Sequence, residues 1–245
     1  MFNRPIRHAD GDLVELEGAR VRLKVSGRAR RISLRLDRAR GEVLAIAPSA
    51  RRLADAAAFA FERRVWIAQR LADLPAPRRF APGVEIAVFG ETCRLGRAPA
   101  RASLESAVWE RGIRMPLRAD DEAYARAIVQ LLKREARAWF EARCQVHCAA
   151  LGVEAPALSI VDAQTRWGSC TPAQRGRPAG IRLSWRLALA PVAVADYVAA
   201  HECAHLLEAN HGPKFWAHTR RLIGDERPHR VWLRVEGSAL HGFGP

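Results

Sequence analysis

The chain has 245 residues, 49% of them hydrophobic and 27% charged, with a formal net charge of +14. That balance belongs to a folded globular protein with one sizeable core or two small ones, and it excludes a disordered chain. The longest apolar stretch, residues 187–200, is broken by Asp196, so no membrane partner is expected.

The opening Met1-Phe2-Asn3-Arg4-Pro5 lacks the apolar run of a secretory signal. Residues 21–25 and 31–36 alternate apolar and polar, the period of half-buried strands. A third strand is expected over residues 42–47, after a turn at Ala39-Arg40-Gly41 and before Pro48. The three predict a meander whose outer face carries Arg22, Lys24, Arg31 and Arg35. Residues 51–74 read as one amphipathic helix ending at Pro75. Pro75-Ala76-Pro77 and Ala81-Pro82-Gly83 then punctuate a linker or loop. Short strands are expected near 85–89, 93–95 and 103–114, and a long helix over 120–151 with Ala127, Leu131, Ala138 and Phe140 toward the core. The pattern predicts an α+β protein with a β-rich basic region over residues 1–118 and a second domain over 119–245.

Gln164-Thr165-Arg166-Trp167-Gly168-Ser169-Cys170 reads as a turn containing a flexible glycine. Residues 180–187 alternate like a strand, expected to lie as an edge strand across a cleft, where it can hold an extended peptide. Pro191 suits the first turn of a helix running through residues 192–200. That helix enters His201-Glu202-Cys203-Ala204-His205-Leu206-Leu207-Glu208-Ala209-Asn210-His211. Side chains four apart share a helical face, so His201 and His205 can hold one cation. Glu202 lies about 100° around the axis, beside that ion rather than on it. Two imidazoles and a nearby carboxylate are what a zinc hydrolase requires. A turn near Asn210 can return His211 as a third ligand, leaving the fourth position for water.

Arg166-Trp167-Gly168-Ser169-Cys170, Tyr197-Val198, the His201–His205 motif and Asn210-His211-Gly212-Pro213-Lys214-Phe215-Trp216 resemble the YgjP-like metallopeptidase family, which is related to SprT-type zinc proteases. The resemblance is most specific from Gln164 to Trp216, and the basic N-terminal strands are similar too. It implies a zincin-like core of the minigluzincin type: an active-site helix, a backing helix and a small sheet. It also implies one Zn2+ per chain, held by His201, His205 and His211. The histidine spacing equals that of the metzincins, but Glu208 stands where they need glycine, and Met1 and Met115 both lie upstream of the required methionine turn.

These residues lead to a zinc peptidase in which Glu202 is the general base for an attacking water. Arg166, Tyr197 and His218 are candidates to stabilise the oxyanion, Trp167 can line the cleft or serve as a strut, and Glu208 can orient a ligand histidine. The five cysteines, Cys93, Cys144, Cys148, Cys170 and Cys203, form no disulfide framework, which suits a reducing cytoplasm. Cys144, Cys148 and Cys203 are expected in the core, Phe215 and Trp216 are expected to anchor a helix carrying His211, and His8, His229 and His241 have no evident partner. The substrate class is a peptide or protein. The arginine-rich charge leaves open a SprT-like protease working on DNA-bound proteins, or a non-catalytic, zinc-stabilised nucleic-acid-binding module. Glu202 argues against the last, since a purely structural site has no need of a base beside an open coordination position.

Overall fold

The computed structural model describes residues 8–37, 41–74, 78–107, 110–163, 165–174 and 176–244. The opening Met1–Pro5, the turn residues Ala39 and Arg40, the linker Pro75-Ala76-Pro77, and Gln164 lie outside them. The chain divides into two compact units, Met1–Ala76 and Pro77–Pro245, and helix and strand are mixed as the α+β expectation had it.

The first unit is a four-stranded sheet under a broken helix. Strands β1 (Leu13–Leu16), β2 (Ala19–Val25), β3 (Ser33–Asp37) and β4 (Glu42–Ala47) are ordered β1-β2-β4-β3. β1 had no expectation, and the meander is corrected: β2 and β4 are parallel neighbours, and β3 turns back antiparallel to β4 at the edge. Alternation along one strand fixes its buried face but says nothing about its neighbour. Glu17 and Gly18 turn β1 into β2 with positive φ at both positions (51° and 83°), the backbone a two-residue hairpin with matching twist requires. The buried row Val21, Leu23, Val43 and Ala45 packs with Leu53, Ala56, Ala60 and Ile67. Arg22 is not merely solvated: its guanidinium donates to the buried Glu42 carboxylate at 2.6 and 3.0 Å. The expected single helix is two, α1 (Leu53–Glu62) and α2 (Arg64–Ala72), after a short 3-10 turn. The break comes at Arg63 (φ −99°, ψ 13°), whose N–H is shared between the Phe59 and Ala60 carbonyls. No Gly or Pro marks that position in the sequence.

In the second unit β5 (Arg78–Arg79) precedes an antiparallel meander of β6 (Glu85–Val88), β7 (Glu91–Ala98), β8 (Arg101–Glu105) and β9 (Glu110–Arg114). These strands match the expected segments. The expected boundary after residue 118 does not hold, however, because Ile86, Val88, Leu95, Ala102 and Leu104 share one core with the long helix α3 (Asp121–Leu151). Asp120 caps α3 by accepting the Ala123 N–H at 2.7 Å, and Gly152 ends it at φ 73°.

Strands β10 (Ala157–Val161), β11 (Gly168–Thr171) and β12 (Gly180–Ser184) form a second sheet in the order β10-β12-β11. The expected edge strand over 180–187 is therefore central and shorter, giving way to a 3-10 helix at Trp185–Leu189. The edges are β10 and β11, the latter in the segment read as a turn. Helix α4 (Val192–Ala204) follows, with Pro191 as its N-cap rather than inside its first turn. Val194, Ala195, Val198 and Ala199 bury it within the same core as α3, and each fully buried Val-sized side chain contributes about 1.5–3 kcal/mol. The chain closes with α5 (Pro213–Ile223), α6 (Arg227–Val235), a 3-10 turn over Gly237–Gly242 and β13 (Phe243–Gly244), which pairs with β5. No helix among the described residues is long and apolar enough to cross a membrane.

Candidate metal centre

Helix α4 ends at Ala204, with His201 in its last turn and His205 as its C-cap. The chain then makes a short loop through Glu208 and Asn210, so His211 sits ahead of α5 rather than on it. Gly212 caps α5, and Pro213 occupies its first turn without leaving an N–H unpaired. This path brings the three imidazoles together. One ring nitrogen from each of His201, His205 and His211 lies within 4.8 Å of the other two. The Nε2 atoms of His201 and His211 are 3.0 Å apart, close to the about 3.3 Å separation that two ligands of a tetrahedral zinc ion would have.

Each of the first two rings is held from behind. The Tyr197 hydroxyl lies 3.3 Å from His201 Nδ1, and the Glu208 carbonyl lies 2.9 Å from His205 Nδ1. Those partners leave the Nε2 atoms to face one another, the tautomer a metal ligand needs. Glu208 thus acts through its main chain, whereas the sequence pointed to its side chain. Phe215 is fully buried against all three rings, with centroids 4.8, 4.4 and 4.7 Å from His201, His205 and His211. Trp216 stacks on His211 and carries Arg230 on its ring. Burial lowers the His201 pKa to about 3, helped by the neighbouring charges of His205, His211 and Arg230. His211 is lowered for the same first reason. A pocket that disfavours imidazolium while crowding three lone-pair nitrogens suits a divalent cation.

The rings open onto a cleft of about 350 Å³, whose walls include Arg166, Gly168, Ser169, Cys170, His201 and Glu202. The edge strand β11 supplies one side. Glu202 is only 6% exposed. Burial pushes its carboxyl up to about 7, against the opposing Arg166 charge and the hydrogen bond from the Cys170 N–H. Gly168 makes this approach possible: a Cβ there would stand 2.5 Å from Glu202 Oε1 and 2.7 Å from its Cγ. The sequence marked that glycine only as flexible; what it provides is clearance.

The remaining candidates part ways. Arg166 lines the cleft. Trp167 stacks on His241 (centroids 4.9 Å apart) and meets Gly237, so it braces the end of β11 from the C-terminal turn. Tyr197 is buried, stacks on His229, and reaches His201 from the side away from the cleft. His218 is half-buried on α5 and is not among the cleft-lining residues. Cys203 is buried beside Cys148, with their Sγ atoms 3.7 Å apart, and also meets Cys144; all five cysteines are free. His8, which had no evident partner in the sequence, lies 3.9 Å from Asp12.

One pairing that the sequence did not reveal fixes the helix that carries His201 and Glu202. Asp196, five residues before His201 on α4, accepts from Arg143 Nε and Nη2 at 2.7 and 2.8 Å and lies 2.7 Å from His147 Nε2. It clamps α4 to α3.

A family model described as YgjP-like, metallopeptidase domain, matches residues 30–236. No curated protein and no solved structure matched the chain.

Proposed function

Because the chain belongs to the YgjP-like metallopeptidase family, we propose that it is a zinc-dependent peptidase that cleaves peptide or amide bonds with Glu202 as its general base. The observation that carries this is the meeting of three imidazoles at a cleft that also presents a buried carboxylate. We take α4 as the active-site helix, α3 as the backing helix and β10–β12 as the small sheet of a zincin-like core.

Zinc bound by His201, His205 and His211 would polarise the scissile carbonyl and acidify the attacking water, and its charge would draw the Glu202 carboxyl back toward the ordinary range. Glu202 takes the water's proton as the new C–O bond forms, then passes it to the departing amine as the C–N bond breaks. The outer edge of β11 can hold the substrate extended by backbone hydrogen bonds, setting its carbonyl over the histidines. Arg166 is the one oxyanion candidate that lines the cleft, so we give it the role of balancing the tetrahedral negative charge. Tyr197 keeps the His201 ring in place, and Trp167 keeps β11 in place.

The test compares wild type with Glu202→Gln for metal content and for cleavage of casein or a peptide library. Gln should retain about one zinc per chain while turnover falls by roughly 10²–10⁴-fold. Loss of the metal, or turnover unchanged, would overturn the assignment. The net charge of +14 supports a second reading, a cytoplasmic protease directed to DNA-bound proteins. Added DNA should then stimulate cleavage at low salt and lose its effect at high salt. Tight DNA binding with no cleavage by the zinc-loaded chain would instead favour a non-catalytic nucleic-acid-binding module.

A further inference from the structure

The first unit has a second cavity, of about 380 Å³, that the proposed peptidase chemistry does not use. One wall is the run Arg31, Ile32, Ser33 and Leu34; the other is Phe59 of α1, Trp66 of α2 and Arg63 at the break between them. Consecutive residues of an extended chain point their side chains to opposite faces. Arg31 and Ile32 lead into β3, and Ser33 and Leu34 are its first two residues; neighbours on a strand that both border one cavity place it at the strand's edge, beside the backbone. Among the described residues β3 is that edge, pairing with β4 alone, and in an antiparallel pair alternate residues turn their N–H and C=O groups away from the partner.

From this we infer that the groove between β3 and the α1–α2 bend is a docking site for an extended polypeptide with acidic side chains, which adds to the sheet as a fifth strand. The backbone edge supplies the ladder, and the half-buried Ile32, Leu34 and Phe59 supply an apolar floor. The charge is complementary to acid: Arg31 and Arg63 border the groove, neither has a carboxylate partner among the described residues, and no acidic residue lines it. A guanidinium grips a carboxylate with two parallel hydrogen bonds.

Single-stranded nucleic acid, the other anionic polymer, fits less well because it needs open aromatic faces for its bases. Here the Arg63 guanidinium sits 5.7 Å from the centre of the Phe59 ring and that of Arg70 sits 5.8 Å from the centre of Trp66. Nucleic acid also cannot use the ladder of β3. The site stands on the first unit alone and does not depend on the peptidase assignment.

The experiment uses the full chain and an array of nonapeptides alternating Val, Leu, Ile or Phe with Asp or Glu, followed by fluorescence anisotropy on the best binder. Binding should weaken at least tenfold with Arg31→Glu plus Arg63→Glu and partially with Arg31→Gln plus Arg63→Gln, while Glu202→Gln leaves it unchanged. Circular dichroism on each variant separates lost binding from lost fold. Methylating the amide nitrogens at one set of alternate positions should abolish binding, and methylating the other set should spare it, because a strand pairs through every second amide. Hydrogen exchange across residues 33–37 should slow in the complex. A blank array, equal binding to a lysine-for-acid array, tolerance of both methylated sets, or indifference to the charge reversals would each overturn the inference. So would arginine-dependent binding of a labelled dT12 oligonucleotide in place of the peptides.

Discussion

Gly168 has nothing but hydrogen to offer the Glu202 carboxylate, and a methyl group there would overlap it. Gly168→Ala is therefore expected to leave the metal in place while turnover drops about 10²-fold, since misplacing a catalytic group by about 1 Å costs that much. Zinc analysis beside a cleavage assay checks both halves, and undiminished turnover would show that the carboxylate can yield. Tyr197→Phe removes the hydroxyl 3.3 Å from His201 Nδ1 and nothing else. Zinc affinity should weaken roughly tenfold, read by competition with a chromogenic chelator, because the partners of ligand histidines typically contribute 10–100-fold. His201, His205 and Glu202 were legible because helical spacing determines where each stands around the axis, whereas His211, which precedes α5, was reached through an expected turn and the family resemblance. The braces were not: Tyr197 and Glu208 act through a hydroxyl and a carbonyl whose direction depends on the folded path. Trp167 was legible as an aromatic near the cleft, but only packing on His241 and Gly237 decides that it is a strut.

The clamp between α3 and α4 has a pH dependence of its own. Burial pushes the Asp196 carboxyl up, but hydrogen bonds from His147 and Arg143, with the charge they carry, outweigh it and hold the pKa below the ordinary 3.8. A carboxylate lowered in the fold stabilises above its unfolded value, and that contribution disappears as the pH falls through the folded one. Stability should thus be flat on this account at neutral pH and decline below about 4. Asp196→Asn should cost about 2 kcal/mol at pH 7, the scale of charge-assisted hydrogen bonds, and the difference from wild type should narrow in acid. Denaturant melts at pH 7 and pH 3 measure it; a constant gap would assign the effect to packing. Elements with local signals were readable, as α3 was from its length and the core positions Leu131 and Phe140. Pairings between distant segments were not. Nothing in the alternation of residues 21–25 foretells β4 as a parallel neighbour, and nothing in residues 180–184 foretells a place between β10 and β11.

Two cores, one around Val21, Leu23 and Val43 and one around Ile128, Phe140 and Leu183, make the chain a two-unit molecule. Calorimetry should resolve two unfolding steps. Zinc at 1,000 times its dissociation constant should stabilise only the step of the second unit, by about 4 kcal/mol, and a chelator should reverse that shift. A single transition moved as a whole by the metal would contradict independent cores. The boundary expected at residue 118 followed a change from strands to helix, but the burial of β6–β8 and α3 in one core overrides that change. At this scale the Glu208 carbonyl against His205 has a further consequence. What must be inherited there is the route of the loop, since every amino acid carries the same oxygen. A change of side chain at position 208 can therefore leave this contact intact, and a comparison of side chains alone would pass over it.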